Sequence, residues 1–219
     1  MVVAGRHDES GKMLAEELRC SGSEAEFINA DVGSEDDVRA LVDQTVAQFG
    51  RVDVAVNNAG IEGQVGPITD QTADTYAATF DTNVLGVILS TKHEVRVMQG
   101  QGSGSIVNIS STYGHEGAAG ASVYVGSKHA VEGITKSVAL EAAKSGIRVN
   151  AVSPGPTDTG MLTRITGTPE SKAALVAEVP MSRLGLPDEL ANAIVFIASA
   201  EASFITGHIL NVHGGHTLN

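Results

Sequence analysis

The sequence predicts an α/β fold in which a doubly wound parallel sheet lies between two layers of helices. The short apolar run Met1–Ala4 is continuous rather than alternating, which is typical of a parallel strand buried on both faces, and further strand candidates follow at 52–56 and 106–109. Each run is followed by a longer segment with helical periodicity, and this alternation continues along the whole chain. The 219 residues, of which 42% are apolar, suffice for one domain over residues 1–219 with a sizeable core.

The first two predicted strands are Met1–Ala4 and Glu24–Ala30, and a helix over Asp8–Arg19 connects them. Ser34 has the residue type of a helix N-cap, and the acidic residues after it suit the first turn of a second helix. This helix ends at Gly50, because glycine adopts the left-handed conformation that closes a helix.

The other elements follow in the same alternation. The predicted strands are 52–56, 106–109, 147–152 and 209–212. The predicted helices are 72–99 with an interruption at Gly86, 122–145, 169–178 within a less regular insert over 160–181, and 187–199. Open sheets of this kind bind ligands beyond the carboxyl ends of their strands, so the residues there are the first candidates for a functional site.

Charge and composition exclude several classes of function. The chain has 14 basic and 26 acidic residues and a formal net charge of -12, which argues against binding to nucleic acid or to an anionic membrane surface. It has no apolar run of about 18 residues that could span a membrane. No signal peptide is visible, and the single cysteine fits a reducing compartment. We expect a cytoplasmic protein that acts on a small molecule.

Tyr124 and Lys128 stand four residues apart in the helix predicted over 122–145, so both side chains lie on one face. A nearby ammonium favours the phenolate, so we expect the pKa of Tyr124 to lie below its usual ~10 and the phenol to act as an acid/base. Ser111 follows a strand, which places its hydroxyl at the carboxyl edge of the sheet. For the Tyr–Lys pair alone, the alternative is a surface tyrosine beside a solvated lysine.

Further motifs accompany this group in a fixed order. Asn57-Asn-Ala-Gly60 follows one predicted strand, Asn83 lies forty-one residues before Tyr124, and Pro154-Gly155 follows another strand. Together with the serine thirteen residues before Tyr124 and the Tyr-x-x-x-Lys motif, this pattern resembles the classical short-chain dehydrogenase/reductases over the whole chain. The resemblance implies a Rossmann-like fold and an NAD(P)-dependent oxidoreductase that transfers hydride between nicotinamide and a secondary alcohol or ketone.

The resemblance also implies the catalytic roles. Tyr124 is the acid/base at the substrate oxygen, and Ser111 holds that oxygen by a hydrogen bond. Lys128 lowers the pKa of Tyr124 and binds the nicotinamide ribose. Asn83 holds a water that links Lys128 to bulk solvent.

The cofactor residues are implied in the same way. Asp31 and Val32 contact adenine, whereas the adenosine ribose is lined by Asn58, Ala59 and Gly60. The nicotinamide carboxamide is surrounded by Pro154, Gly155, Thr157 and Thr159. Because Gly5 takes the position that is usually acidic in NAD users and Arg6 follows it, we expect a guanidinium–phosphate contact and NADP in preference to NAD.

The substrate itself is not readable from the sequence. The implied pocket residues are Glu62, Thr112, Tyr113, His115, Met161 and Leu162. We expect no metal, since the neighbouring His115 and Glu116 lack further ligands at suitable spacing. In the family, the helices corresponding to 72–99 and 122–145 form a subunit interface, which implies a homodimer or homotetramer. His213 replaces the aspartate usual at that position, near a subunit contact in relatives.

The largest departure from the family lies at the start of the chain. Family members begin with a strand, a Thr-Gly-x-x-x-Gly-x-Gly turn and a helix, whereas this chain opens at the second strand. That βα segment is roughly 30 residues, and its turn supplies backbone donors to the pyrophosphate. We therefore expect an N-terminally truncated domain with a first βα unit missing and weak or absent cofactor binding. The alternative function is a non-catalytic remnant that acts as an oligomeric scaffold or has no activity.

Overall fold

The computed structural model describes residues 1–217 and contains the alternating strands and helices that the sequence predicts. The strands are β1 (Val2–Gly5), β2 (Glu26–Asn29), β3 (Val54–Asn57), β4 (Gly104–Ile109), β5 (Ile147–Pro154) and β6 (Ile209–Val212). The α-helices are α1 (Asp8–Cys20), α2 (Glu35–Phe49), α3 (Ala73–Phe80), α4 (Gly86–Gln101), α5 (Ser122–Ala142), α6 (Gly160–Thr166), α7 (Pro169–Glu178) and α8 (Pro187–Ala198). Among the described residues, no helix has the length and apolar character needed to cross a membrane.

Helices cover both faces of the sheet, which confirms the three-layer prediction. On one face, Ile106 packs in a core cluster with Met98 of α4 and Ala139 of α5. On the other face, the next residue of β4, Val107, packs with Ile197 of α8. Successive residues of a strand point to opposite faces, so the apolar run of β4 serves both layers.

The sheet is divided into two parallel parts. One part has the order β1-β2 and the other the order β3-β4-β5-β6. Between them lies a cleft of about 940 Å³ whose walls include residues of both β1 and β3. We call this cleft the slot. Val54 and Val56 on its β3 side keep 47% and 43% of their surface exposed, which is unusual for apolar residues of a sheet strand.

The helical region after Thr72 differs from the prediction. It is not interrupted at Gly86, where α4 begins without a break in helical backbone. The irregularity lies one turn earlier, in a π-helical turn over Asp81–Leu85. Gly86 serves close packing instead, because a Cβ there would lie 2.7 Å from the Val32 side chain that follows β2.

The insert over 160–181 is more regular than expected. Besides the predicted helix at 169–178, it contains α6, which begins after Thr159 as N-cap. The Thr159 hydroxyl accepts a hydrogen bond from the Leu162 backbone at 3.4 Å. A helix of seven residues carries little periodicity, and this explains why the sequence pattern did not reveal it.

Candidate active site

The carboxyl end of β4 carries the first catalytic candidate. Ser111 lies just beyond the strand, at the N-cap of a short 3₁₀ turn over Thr112–Gly114. Its hydroxyl accepts a hydrogen bond from the Tyr113 backbone at 3.2 Å. The predicted position of this side chain at the carboxyl edge of a strand therefore matches the structure.

Tyr124 lies near the start of α5 and faces this turn. Burial raises the pKa of its phenol above the ordinary value, and the nearby Ser111 hydroxyl acts in the opposite direction. The nearby groups of Glu62 and Tyr113 raise this pKa further. The expectation of a lowered pKa is therefore wrong for the protein by itself, because loss of solvent around the phenol outweighs the groups that favour its ionised form.

Lys128 shares the Tyr124 face of α5, as its spacing predicts. Its ammonium lies 5.6 Å from the centre of the Tyr124 ring and donates a hydrogen bond to the Ile109 carbonyl at 2.9 Å. Burial lowers the pKa of Lys128 to about 8. An ammonium has three hydrogens, so two donors remain beyond the bond to Ile109.

Asn83 occupies the π-helical turn and is buried. Its Oδ1 accepts from the Ile61 backbone N–H at 2.8 Å, while its Nδ2 donates to the Ile61 carbonyl at 2.9 Å and to the Ser127 hydroxyl at 3.1 Å. These bonds tie the loop after β3 to α5. The side-chain amide is thus occupied with structural partners, which the sequence spacing did not indicate.

The slot contains most of the candidates for an adenosine site. Arg6, Val32, Asn58, Ala59 and Gly60 all line it. A Cβ on Gly60 would lie 3.6 Å from the Lys128 ammonium, so the absence of a side chain lets this backbone lie close to Lys128.

Arg6 and Asp31 stand together at the ends of β1 and β2. A guanidinium nitrogen of Arg6 lies 3.7 Å from an Asp31 carboxylate oxygen, and both side chains are about half exposed. The other Asp31 oxygen accepts from the Gly33 backbone at 3.0 Å. Both groups are therefore within reach of a ligand at this end of the slot.

The residues predicted around a nicotinamide follow β5. Gly155 packs against His213, since a Cβ on this glycine would lie 2.6 Å from the His213 Cβ. Thr157 forms a parallel bridge with Gly185, and its hydroxyl donates to the Gly155 carbonyl at 2.9 Å. Pro154 ends β5 and Thr159 caps α6, so this segment leads directly from the sheet into the insert.

On the substrate side, the structure brings in a residue that sequence reasoning missed. Arg164 of α6 donates to both carboxylate oxygens of Glu62, at 2.7 and 3.2 Å. This pair holds the pKa of Glu62 below its ordinary value and joins positions 102 residues apart. Met161 lies half-buried on the same helix.

The loop after Ser111 supplies the other substrate-side candidates. The Tyr113 ring meets the Tyr124 ring edge-on, with 6.4 Å between centroids and 89° between planes. His115 stands at the exposed end of the loop, and its Nδ1 lies 3.0 Å from a Glu132 oxygen. Glu132 was also missed; its position four residues after Lys128 on the buried face of α5 was the available signal.

His213 is held within the chain. Its Nδ1 accepts from the Gly215 backbone at 3.0 Å, and its Nε2 lies 3.0 Å from the Thr217 hydroxyl. Burial lowers the pKa of this imidazole. The side chain thus shapes the segment beside Gly155.

Comparison with known proteins gives consistent matches over the described chain. A family model described as enoyl-(acyl carrier protein) reductase matches residues 1–217. A cis-4-hydroxycyclohexanecarboxylate dehydrogenase of Sinomonas cyclohexanicum is 42% identical over 217 residues, covering 99% of this chain and 86% of that protein.

Solved structures agree with this match. A gluconate 5-dehydrogenase from Burkholderia cenocepacia J2315, in complex with NADP and tartrate, superposes with a TM-score of 0.94 and 32% identity, over 100% of this chain and 85% of its own. An NAD⁺-bound xylitol dehydrogenase superposes with a TM-score of 0.95 and 32% identity, over 98% of this chain and 88% of its own.

Proposed function

This chain belongs to the short-chain dehydrogenase/reductase family of NAD(P)-dependent oxidoreductases, and from that premise we propose that it interconverts a secondary alcohol and its ketone, with Tyr124 as the acid/base. The observation that supports this proposal is that three side chains, those of Ser111, Tyr124 and Lys128, lie close together at the carboxyl edge of β4. The Tyr124 phenol lies beside the Ser111 hydroxyl, and the Lys128 ammonium stands one helical turn away.

In this proposal Tyr124 moves the proton and Ser111 holds the reacting oxygen. A phenol with a raised pKa is protonated at neutral pH, which is the state that donates a proton to a carbonyl oxygen. In the opposite direction the phenolate takes the proton of an alcohol. A nicotinamide dinucleotide supplies or accepts the hydride when it is bound.

Lys128 fits the ribose of such a dinucleotide. Its two remaining hydrogens and its closeness to Gly60 suit ribose hydroxyls in the space beside the loop after β3. The side chain of Asn83 is engaged by Ile61 and Ser127, so a water that connects Lys128 to solvent would be held by the Asn83 backbone carbonyl. We assign Asn83 this role through its backbone.

We propose NADP as the preferred cofactor. Arg6 keeps 54% of its side chain exposed at the end of β1, where a guanidinium can meet a 2′-phosphate bidentately. The carboxylate of Asp31 lies beside it and suits an adenine amino group, with Val32 against the ring. We place the carboxamide among the four residues that follow β5, namely Pro154, Gly155, Thr157 and Thr159.

For the substrate we propose a small hydroxylated compound. Glu62 and Tyr113 lie near the Tyr124 phenol, and Arg164 adds a cation beside Glu62. We propose that His115 and Met161 line the same pocket. The related proteins are named for a ring alcohol that carries a carboxylate and for polyhydroxy compounds. We propose the same chemical range here.

We further propose a cytoplasmic homodimer or homotetramer. Apolar residues of the helices expected to form a subunit interface are exposed in the single chain. Ile88 on α4 keeps 43% of its surface accessible, and Leu140 on α5 keeps 83%. Light scattering after size-exclusion chromatography measures the oligomeric state directly.

A second candidate function is a non-catalytic scaffold, and the slot is the observation that favours it. The β1 and β3 edges that face each other across the slot are not paired with each other. Unpaired strand edges weaken a sheet, and this interruption runs beside the proposed adenosine site. A domain with this gap can keep its catalytic side chains and still bind a dinucleotide poorly.

Titration of the 219-residue protein with NADPH and, separately, NADH separates the two functions. Nicotinamide fluorescence reports binding, and a panel of cis-4-hydroxycyclohexanecarboxylate, gluconate and xylitol tests turnover. Micromolar NADPH binding with much weaker NADH binding supports the oxidoreductase and the role of Arg6. Failure of both nucleotides to bind supports the scaffold.

A further inference from the structure

A buried carboxylate on α5, that of Glu132, stands one turn beyond Lys128 and two turns beyond Tyr124. Only 4% of Glu132 is exposed. Its Oε1 accepts a hydrogen bond from the Ser110 hydroxyl at 3.0 Å and from His115 Nδ1 at 3.0 Å. A carboxylate accepts only, so the hydrogen of the His115 contact lies on Nδ1.

These two bonds attach a short segment to α5 at both of its ends. Ser110 precedes Ser111, and His115 follows the 3₁₀ turn that Ser111 caps. Within the segment, Gly114 donates its backbone N–H to the Ser111 carbonyl at 2.7 Å. One carboxylate oxygen therefore joins the helix that carries Tyr124 to the segment that carries Ser111.

The close approach depends on a glycine. A Cβ on Gly114 would lie 2.2 Å from Glu132 Oε1 and 2.4 Å from the Ser110 hydroxyl. The turn can rest on the carboxylate only because Gly114 has no side chain. The backbone of the turn at Gly114 and the Ser110 hydroxyl thus both pack against the Oε1 atom of Glu132.

The charges around this contact come from several elements. Lys128 donates to the Ile109 carbonyl, and among the described residues it is not within ion-pair distance of Glu132. His115 is close enough to His213 of the C-terminal segment to lower the pKa of that imidazole, to which Glu116 is also close.

Tyr124 is faced by a separate set of groups. They are the Ser111 hydroxyl, the Tyr113 phenol and, from the loop after β3, the Glu62 carboxylate. The Lys128 ammonium lies on the Tyr124 side of α5, 5.6 Å from the ring centre. Of these four groups, the Ser111 hydroxyl and the Tyr113 phenol belong to the segment that Glu132 attaches to α5, and of these two it is the Ser111 hydroxyl that lowers the pKa of Tyr124.

We propose that Glu132 and His115 are positioning residues of the active site, which hold the Ser111 hydroxyl against the Tyr124 phenol. The consequence for turnover rests on the proposed function, whereas the contact and its effect on the phenol do not. Neither residue needs to touch the substrate oxygen. They affect the reaction by setting the distance between the Ser111 hydroxyl and the Tyr124 phenol.

Phenolate absorbance in the near ultraviolet measures this effect without turnover. The chain has three tyrosines and no tryptophan, so the difference between the wild-type protein and Tyr124→Phe isolates the ionisation of Tyr124. Glu132→Leu removes both hydrogen bonds, and we expect the pKa of Tyr124 to rise because it loses the opposing effect of Ser111. Glu132→Gln keeps one acceptor oxygen and is expected to restore part of the shift.

A double-mutant cycle tests whether Glu132 acts on Tyr124 through Ser111. Ser111→Ala is expected to raise the Tyr124 midpoint by itself, and Glu132→Leu is expected to add nothing further in that background. The matched control is Glu141→Leu, an exposed carboxylate on the same helix, which leaves the midpoint unchanged. For a substrate that the wild type converts, Glu132→Leu lowers kcat about tenfold with KM within about twofold, because the reacting groups are misplaced.

The outcomes are separable. An unchanged Tyr124 midpoint in folded Glu132→Leu, or additive effects with Ser111→Ala, overturns the proposal and leaves a contact with a structural role only. If Glu132→Leu does not fold, His115→Ala tests the proposal instead, because the His115 side chain is 31% exposed and its loss removes one of the two hydrogen bonds to Glu132. A raised Tyr124 midpoint in this variant supports the proposal, and an unchanged midpoint overturns it. Absence of wild-type turnover would contradict the proposed function, whereas the absorbance titration still tests the positioning role.

Discussion

The interface of α5 with β4 and the slot between β1 and β3 both border the candidate active site, but they differ in how well their polar groups are paired. Along α5, polar side chains meet partners on β4 or the turn after it: Thr135 accepts from Asn108 at 2.9 Å, and Lys128 donates to Ile109 at 2.9 Å. Across the slot, the facing strand edges are not paired, and Val54 and Val56 are exposed.

This difference separates the residues proposed for proton transfer from those proposed for dinucleotide binding. The proposed acid/base and its hydrogen-bond partner come from one contiguous stretch of helix, strand and turn, so they depend little on β1 and β2. The proposed adenosine site takes Arg6 from one side of the slot and Gly60 from the other. We therefore expect catalytic geometry to be rigid and dinucleotide affinity to depend on how the two sheet parts are held.

The largest expected effect comes from a substitution on α5 that leaves the slot unchanged. Tyr124→Phe removes the proposed acid/base, and we expect kcat to fall by about 10²–10⁴-fold while the cofactor Kd stays within about twofold. Steady-state kinetics and fluorescence titration measure the two quantities. Tyr76→Phe is the control, since that residue is 52% exposed on α3. Comparable loss in both variants would contradict the assignment.

The second prediction compares the two sheet parts directly by native-state hydrogen exchange. Backbone amides of β1 and β2 should exchange at least about 100-fold faster than those of β4 and β5, after correction for intrinsic rates. Two-stranded units are only marginally stable, whereas β5 has a strand on each side. Equal protection would show that the slot does not weaken the fold.

A third prediction tests the β1 wall of the slot. Arg6→Leu should weaken NADPH binding by about 10–100-fold and leave NADH binding within about twofold, because it removes hydrogen bonds to a charged phosphate. Isothermal titration with both nucleotides measures the difference. Arg39→Leu, whose guanidinium pairs with Asp36 on α2, serves as control. Equal losses for both nucleotides would exclude Arg6 as the phosphate reader.

The smallest expected effect concerns Glu94, which lines the slot. Burial raises the pKa of this carboxyl from 4.5 to about 7, with a hydrogen bond from Asn57 acting in the opposite direction. The folded state therefore holds the proton more tightly, so this contribution to stability is complete below pH 4.5 and is lost as pH rises through 7.

Glu94→Gln cannot ionise and should be more stable than the wild type at pH 8, by about 1–3 kcal/mol, with little difference at pH 5. Urea denaturation at the two pH values measures the free energies of unfolding. Glu141→Gln, on the exposed side of α5, should show no such dependence. A gain of the same size at both pH values would mean that charge burial is not its cause.

The order of the elements and the residues that share a helix face follow from the amino-acid sequence alone. Apolar runs identified the strands, and the spacing of Tyr124 and Lys128 placed both on one face of α5, because helical periodicity is a local property. The same reasoning placed Ser111 at the edge of the sheet. The order of the motifs along the chain then indicated the family, and the family resemblance indicated the proposed cofactor residues.

The contacts that those side chains make depend on how the whole chain folds. The contacts of Glu132 with Ser110 and of Glu62 with Arg164 join segments far apart in the chain, and no local pattern encodes such a distance. The direction of the Tyr124 pKa was decided in the same way: spacing indicated a favourable ammonium, whereas packing removed water from the phenol and raised its pKa. Desolvation depends on every element that closes around a group, so it is known only once the chain is folded.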